Sequence, residues 1–191
     1  IGRPYFMTTG APPQYLMGYI RLIHYVAAGV FVMTGLVRVY WLFAGNQFER
    51  LPALFPVRKR DWVNLVTQVK YYLMIHPERA PHYIGHNPLQ QLSYTTTYVV
   101  SIVVTLTGFA MYGQAEPGGF FYTITQPLTL AVGGIQVVRL VHHLCVWWFI
   151  IFPIMHIYLV IRKEITERGG GLSGIVNGGH YIRADKQYVD E

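Results

Sequence analysis

The sequence predicts an all-α integral membrane protein: a helical bundle with three visible transmembrane helices of an expected four, plus an amphipathic surface helix. Three observations carry this. Of 191 residues, 52% are hydrophobic, 15% aromatic and only 13% charged, which is too apolar for an ordinary soluble domain. The apolar residues gather in blocks of about 20 or more, enough to cross a hydrocarbon core of roughly 30 Å, and not in short alternating runs. The basic residues collect in the segments that flank those blocks. Residues 1–191 therefore read as one membrane-embedded domain.

The elements follow in order. Residues 1–14, IGRPYFMTTGAPPQ, are loop-like. The chain begins at Ile1 without an initiator methionine or the pattern of a signal peptide, so an upstream segment is expected. The first span covers about 15–44 and contains His24, followed by Ala27, Ala28 and Gly29, small residues that allow a helix or a flat macrocycle to approach. Residues 45–91 form a polar interlude. Within it, 61–75 reads as an amphipathic helix with Trp62, Leu65, Val66, Val69 and Leu73 on one apolar side. Asp61 is its expected N-cap, and Trp62, Tyr71 and Tyr72 are expected at headgroup level.

Asn87-Pro88 opens the second span, about 88–113, with an N-cap residue followed by proline at the first helical position. Its Ser and Thr hydroxyls can bond back to their own helix and need no polar partner across the bundle. Residues 114–136 combine Gly-rich turns with the apolar run FFYTITQPLTLAV, a loop carrying a short surface helix. The third span, about 137–162, is the most apolar. Arg162, Lys163 and Glu164 mark its exit, and the tail 163–191 passes Gly169-Gly170-Gly171, read as a flexible joint.

A formal net charge of +6 does not indicate nucleic acid, because no basic stripe carries interleaved stacking aromatics. Cys145 is the single cysteine, which rules out an intrachain disulfide, an iron-sulfur site and a cysteine-rich zinc site. It reads as a small buried apolar residue.

Chemistry concentrates in the third span, where His142 and His156 stand fourteen residues apart. At about 100° per residue they return to within roughly 40° of one direction, and at 1.5 Å per residue they are separated by about 21 Å along the axis. One imidazole thus lies near each membrane surface on a shared helix face, the geometry for two stacked haems. A lone histidine in a span can simply hydrogen-bond a neighbour or line a polar cavity; two at four-turn spacing favour ligands. His143 lies some 140° from His156 and points elsewhere, so His142 is the in-register residue.

Positive charge sets the sidedness. Arg50, Arg58, Lys59, Arg60, Lys70 and Arg79 lie in the interlude, and Arg162, Lys163, Arg168, Arg183 and Lys186 in the tail. The other side offers Arg3 and no Lys or Arg within 114–136. The positive-inside rule places 45–91 and the tail in the cytoplasm, with 1–14 and 114–136 outside. His24 and His142 then share the outer level and form the expected axial pair, while His156 lies near the inner face. His76, His82 and His86 are on its side of the membrane but among backbone-breaking prolines, so its partner is expected on an upstream helix. Arg38, fourteen residues from His24, shares that histidine's face; it can bond a haem propionate or a quinone oxygen, or snorkel to the headgroups.

The stretches MGYIRLIHYVAAGVF and RVYWLFAGNQFER, the GHNPLQQ run, and the helix from VHHLCVW to MHIYLVIRKEI together resemble the cytochrome b subunit of membrane-bound nickel-iron hydrogenases, part of a wider group of four-helix di-haem cytochromes b. The resemblance covers nearly the whole chain. It implies a four-helix bundle in a prokaryotic plasma (inner) membrane holding two b haems, with His24, His142 and His156 as axial ligands. It also implies partner hydrogenase subunits, a small iron-sulfur and a large nickel-iron one, from which electrons pass to membrane quinone. The fourth ligand is expected on a first helix upstream of Ile1, and the chain departs from the family in having His143 beside His142. The alternatives are an anchor for another dehydrogenase such as formate dehydrogenase, a proton-relay bundle, or a non-haem structural anchor. A proton relay predicts carboxylates within the spans, and there are none.

Overall fold

Long unbroken apolar runs leave the backbone no partner but itself, and the chain accordingly forms helices. The computed structural model describes residues 15–46, 50, 54–55, 59–75, 81–83, 85–167, 171–178 and 187–189. The expected N-terminal loop, His76, and Gly169 and Gly170 of the expected joint lie outside the described residues. The helices are α1 (Leu16–Ala44), α2 (Lys59–Tyr72), α3 (Pro88–Gly113), α4 (Phe120–Ala131), α5 (Ile135–Glu167) and α6 (Gly171–Asn177). Three of them, α1, α3 and α5, are long and apolar enough to span a membrane. The chain divides into two units, Ile1–Tyr40 and Trp41–Glu191.

The first unit is built on α1, whose 29 residues correspond to about 44 Å of helix. Apolar side chains cover its whole circumference, as suits a helix surrounded by lipid or other helices.

In the second unit, α3 packs against α5. Thr107 lies opposite His142 and Thr97 opposite Trp148, so the two helices run antiparallel. Ala110, Thr107, Val138 and Cys145 are buried in this unit, which gives Cys145 the apolar role expected of it. The start of α3 is a full capping box: the Asn87 side chain accepts from the Gln90 amide while the Gln90 side chain accepts from the Asn87 amide, both at 2.9 Å.

The surface helix expected in 114–136 is α4, which folds back on α3. Phe121 stacks on Phe109 at 5.1 Å and meets Tyr112 edge-on at 5.5 Å. Gly113 is required here, because a Cβ would stand 2.7 Å from the Tyr122 amide nitrogen. The turn from α4 into α5 uses Gly133 and Gly134 at φ 101° and 98°, a left-handed conformation that glycine adopts without steric cost.

The interlude helix α2 differs from expectation in three ways. It begins at Lys59, so Asp61 lies inside its first turn, where it complements the helix dipole instead of capping the end. It ends at Tyr72, short of 75, where Met74 turns left-handed at φ 62° and the Ile75 amide donates to the Lys70 carbonyl. Tyr71 is buried rather than turned to headgroups. The face of α2 directed at the protein is the polar one: Gln68 is buried and donates to the Pro81 carbonyl, and Asn64 donates to the Tyr83 hydroxyl. Trp62, Val66, Val69 and Leu73 are exposed on the other side, the arrangement of a helix that offers its apolar face to a lipid surface.

Arg162 near the end of α5 joins these parts. Its guanidinium donates to the carbonyls of Tyr71, at 2.9 Å, and Tyr72, and lies 5.4 Å and 5.6 Å from their ring centroids. The tail returns to the same region, with Tyr188 bridged to His82 and the Val189 amide donating to the His82 carbonyl. The interlude and the tail thus meet. The third span continues as helix to Glu167, past the expected limit at 162, and Gly171 starts α6 where the sequence suggested a joint.

Candidate haem-ligand site

His142 is half-buried on the side of α5 that faces α3. Its Nδ1 lies 3.0 Å from the Thr107 hydroxyl oxygen, which lies 2.7 Å from the Val103 carbonyl and 3.1 Å from that of Val104. A threonine hydroxyl has a single hydrogen. With that hydrogen donated to a carbonyl, the oxygen accepts from Nδ1–H of His142, an arrangement that pairs with the tautomer whose Nε2 carries the lone pair. The ring also lies close to the α3 backbone. A Cβ on Gly108 would be in ordinary contact with it, 3.4 Å from Cε1 and 3.9 Å from Nδ1 of His142.

His143 behaves differently. It is exposed, and its Nδ1 donates to the Arg139 carbonyl of its own helix at 2.6 Å. The two adjacent histidines therefore point apart, as helix geometry requires, and only His142 reaches across to α3.

Fourteen residues on, His156 is exposed and stacks on Phe152 at 5.7 Å with 22° between the ring planes. Phe152 stacks in turn on Trp148 at 5.6 Å and 15°. The Trp148 indole donates to the Thr97 hydroxyl of α3 at 3.2 Å. An aromatic column thus leads from α3 to His156, formed by residues four apart on one helix. His24 stands on α1 in the first unit, exposed and 6.0 Å from the neighbouring Tyr25 ring.

The sequence reading missed the polar contacts between α3 and α5. Thr97 and Thr107 do bond back to their own helix, through the carbonyls of Ser93 and Val103, as expected. Each also accepts a hydrogen bond from a ring on α5. The Thr-Gly pair at 107–108 was the available signal, a hydroxyl beside a residue with no side chain inside an apolar span. His82 and His86, the interlude histidines, are instead occupied locally. His82 meets Tyr188 edge-on, and His86 meets Tyr94 edge-on at 5.0 Å.

Fold and site together define a multi-span helical membrane protein with imidazoles held on its most apolar helix. Residues 3–178 match the family model described as prokaryotic cytochrome b561. The chain is 38% identical to the "Probable Ni/Fe-hydrogenase B-type cytochrome subunit" of Azotobacter chroococcum, over 97% of this chain and 79% of the relative. Proteins of the same description from Cupriavidus necator and, as the hydrogenase 1 subunit, Escherichia coli K12 are 36% and 33% identical. Each match covers 93% of this chain, and 74% and 77% of the relatives. The chain belongs to the prokaryotic cytochrome b561 family, among the Ni/Fe-hydrogenase B-type cytochrome subunits.

Proposed function

We propose that this chain is the haem b electron-transfer and membrane-anchor subunit of a nickel-iron hydrogenase. It takes electrons from the iron-sulfur relay of the small subunit, which is paired with the large nickel-iron subunit, and delivers them to membrane quinone. The observation that carries this reading is His142: an imidazole whose Nδ1 lies 3.0 Å from the Thr107 hydroxyl of the facing helix, fourteen residues from a second histidine on the same helix. A metal-bound histidine characteristically donates its other ring N–H to an oxygen in this way. The residues therefore fit haem iron.

His24, His142 and His156 would each supply an axial nitrogen to haem iron. Bound haem b supplies a one-electron iron couple whose potential responds to ligand basicity and burial. The chain's own part is to orient each imidazole: Thr107 does this for His142, and the Trp148–Phe152 stack does it for His156. The electron path runs from the outer level at His142 to the inner level at His156, with the interlude and tail in the cytoplasm of a prokaryotic inner membrane. Two features support this sidedness: the basic residues of both segments, and the contact of Arg162 with the end of α2.

The test is a reduced-minus-oxidised optical spectrum of the native hydrogenase complex with haem quantified per chain, for wild type, His142→Ala and His143→Ala. Two b haems are expected in wild type, one fewer in His142→Ala, and an unchanged count in His143→Ala. Full haem content in His142→Ala, or loss in His143→Ala alone, would overturn the assignment of His142. No haem in wild type would overturn the electron-transfer reading.

A further inference from the structure

His142 is linked through two hydrogen bonds to a backbone carbonyl. Its Nδ1 lies 3.0 Å from Thr107 Oγ1, and the Thr107 hydroxyl donates to the Val103 carbonyl at 2.7 Å, which leaves Oγ1 to accept from Nδ1–H. Bonds in such a chain polarise one another, so a hydroxyl that is donating is a better acceptor than an isolated one. The acceptor draws the Nδ1 proton away from the ring and leaves more electron density on Nε2, which makes the imidazole a more basic ligand. A more basic ligand stabilises the ferric state of a haem iron over the ferrous state and lowers the reduction potential.

The ring sits close to the α3 backbone at Gly108, where an added Cβ would be in ordinary contact 3.4 Å from Cε1, and the Thr107 hydroxyl is the polar group on α3 that meets the ring. His156 is supported by stacking on Phe152, a contact that orients a ring without drawing on its N–H.

We propose that Thr107 is a positioning residue that fixes the tautomer of His142 and lowers the potential of the haem it ligates. This rests on the reading of His142 as a haem ligand. It assigns the two histidine levels different electronic tuning, by hydrogen bonding at one and by aromatic packing at the other.

The experiment uses the purified hydrogenase complex carrying Thr107→Val, which keeps the shape and removes the hydroxyl, and Thr107→Ser, which keeps the hydroxyl. Mediated redox titration would be followed optically, with the His142 haem identified as the component that His142→Ala removes. Low-spin ferric g values would be recorded in parallel. The expected result for Thr107→Val is a tenfold fall in the oxidised-to-reduced ratio of that haem at fixed ambient potential. This equals an upward shift of about 59 mV for a one-electron couple, and altered g values should accompany it. Thr107→Ser should titrate as wild type. Loss of the haem in Thr107→Val with retention in Thr107→Ser would also support the proposal. An unchanged potential and spectrum in Thr107→Val, or equal effects of both substitutions, would overturn it. If His142→Ala keeps its haem, it is the ligand assignment that fails; if His142→Ala loses a haem and Thr107→Val is silent, only the role of Thr107 fails.

Discussion

Replacing Arg162 by methionine keeps most of the apolar stem and removes the group that ties the end of α5 to α2. The guanidinium makes two charge-assisted bonds to the carbonyls of Tyr71 and Tyr72, the last residues of α2. It also places a cation at the negative end of that helix. Bonds to charged groups contribute about 1.5–3 kcal/mol each where desolvated. Arg162 is half-exposed, so solvent screening brings the pair together to about 2 kcal/mol. That corresponds to about a 30-fold change in the equilibrium between docked and released ends of α2.

The assay is amide hydrogen exchange in the native complex, read on peptides covering 62–75. The Leu73, Met74 and Ile75 amides there donate to the Val69, Tyr71 and Lys70 carbonyls. Arg162→Met should accelerate exchange of these amides by about 30-fold. Arg162→Lys should fall between, because an ammonium keeps the charge but lacks the planar fork. Exchange within twofold of wild type in Arg162→Met, or a uniform rise across α3 and α5 as well, would refute the reasoning.

Two further outcomes follow from the same geometry. Gly113→Ala would set a Cβ 2.7 Å from the Tyr122 nitrogen and 2.9 Å from the Phe121 carbonyl carbon, backbone atoms that cannot rotate away. The expected loss is about 1–3 kcal/mol, read as a lower thermal unfolding midpoint together with altered near-ultraviolet dichroism from the Phe109–Phe121 stack. Asn87→Ala removes the side-chain acceptor of the Gln90 amide, while the backbone amide at 87 can still donate to the Gln90 side chain, and should destabilise α3 by about 1 kcal/mol. Asn87→Ser should restore most of it, with protection of the Gln90 and Gln91 amides as the measure.

Much of the fold was legible in the sequence because a membrane makes length and hydropathy decisive. The spans near 15–44, 88–113 and 137–162 emerged as α1, α3 and the greater part of α5, and the apolar run after Glu116 emerged as α4. The fourteen-residue register likewise separated His142 from His143 on helix geometry alone. Asn87-Pro88 marked the start of α3 because a cap and a proline act within one turn.

What only the tertiary structure decided involves residues distant in sequence. No local pattern tells that the Thr107 hydroxyl, already bonded to its own helix, accepts from a ring thirty-five positions away, or that Thr97 anchors the column ending at His156. The amphipathic pattern of α2 was readable, but that pattern alone does not say which face meets protein; in a membrane protein the apolar side can turn outward, and the buried Gln68 and Tyr71 show that here it does. Arg162 read as a marker of the exit from the third span, and it became a helix cap because folding brought the carbonyl end of α2 within reach of its guanidinium. The sequence by itself thus determined which segments are long and apolar enough to cross a bilayer and which of the two adjacent imidazoles faces α3, both consequences of local composition and periodicity. Packing of α3 and α2 against α5 decided which oxygens those rings and that cation would find, since hydrogen-bond partners depend on positions that only the assembled bundle defines.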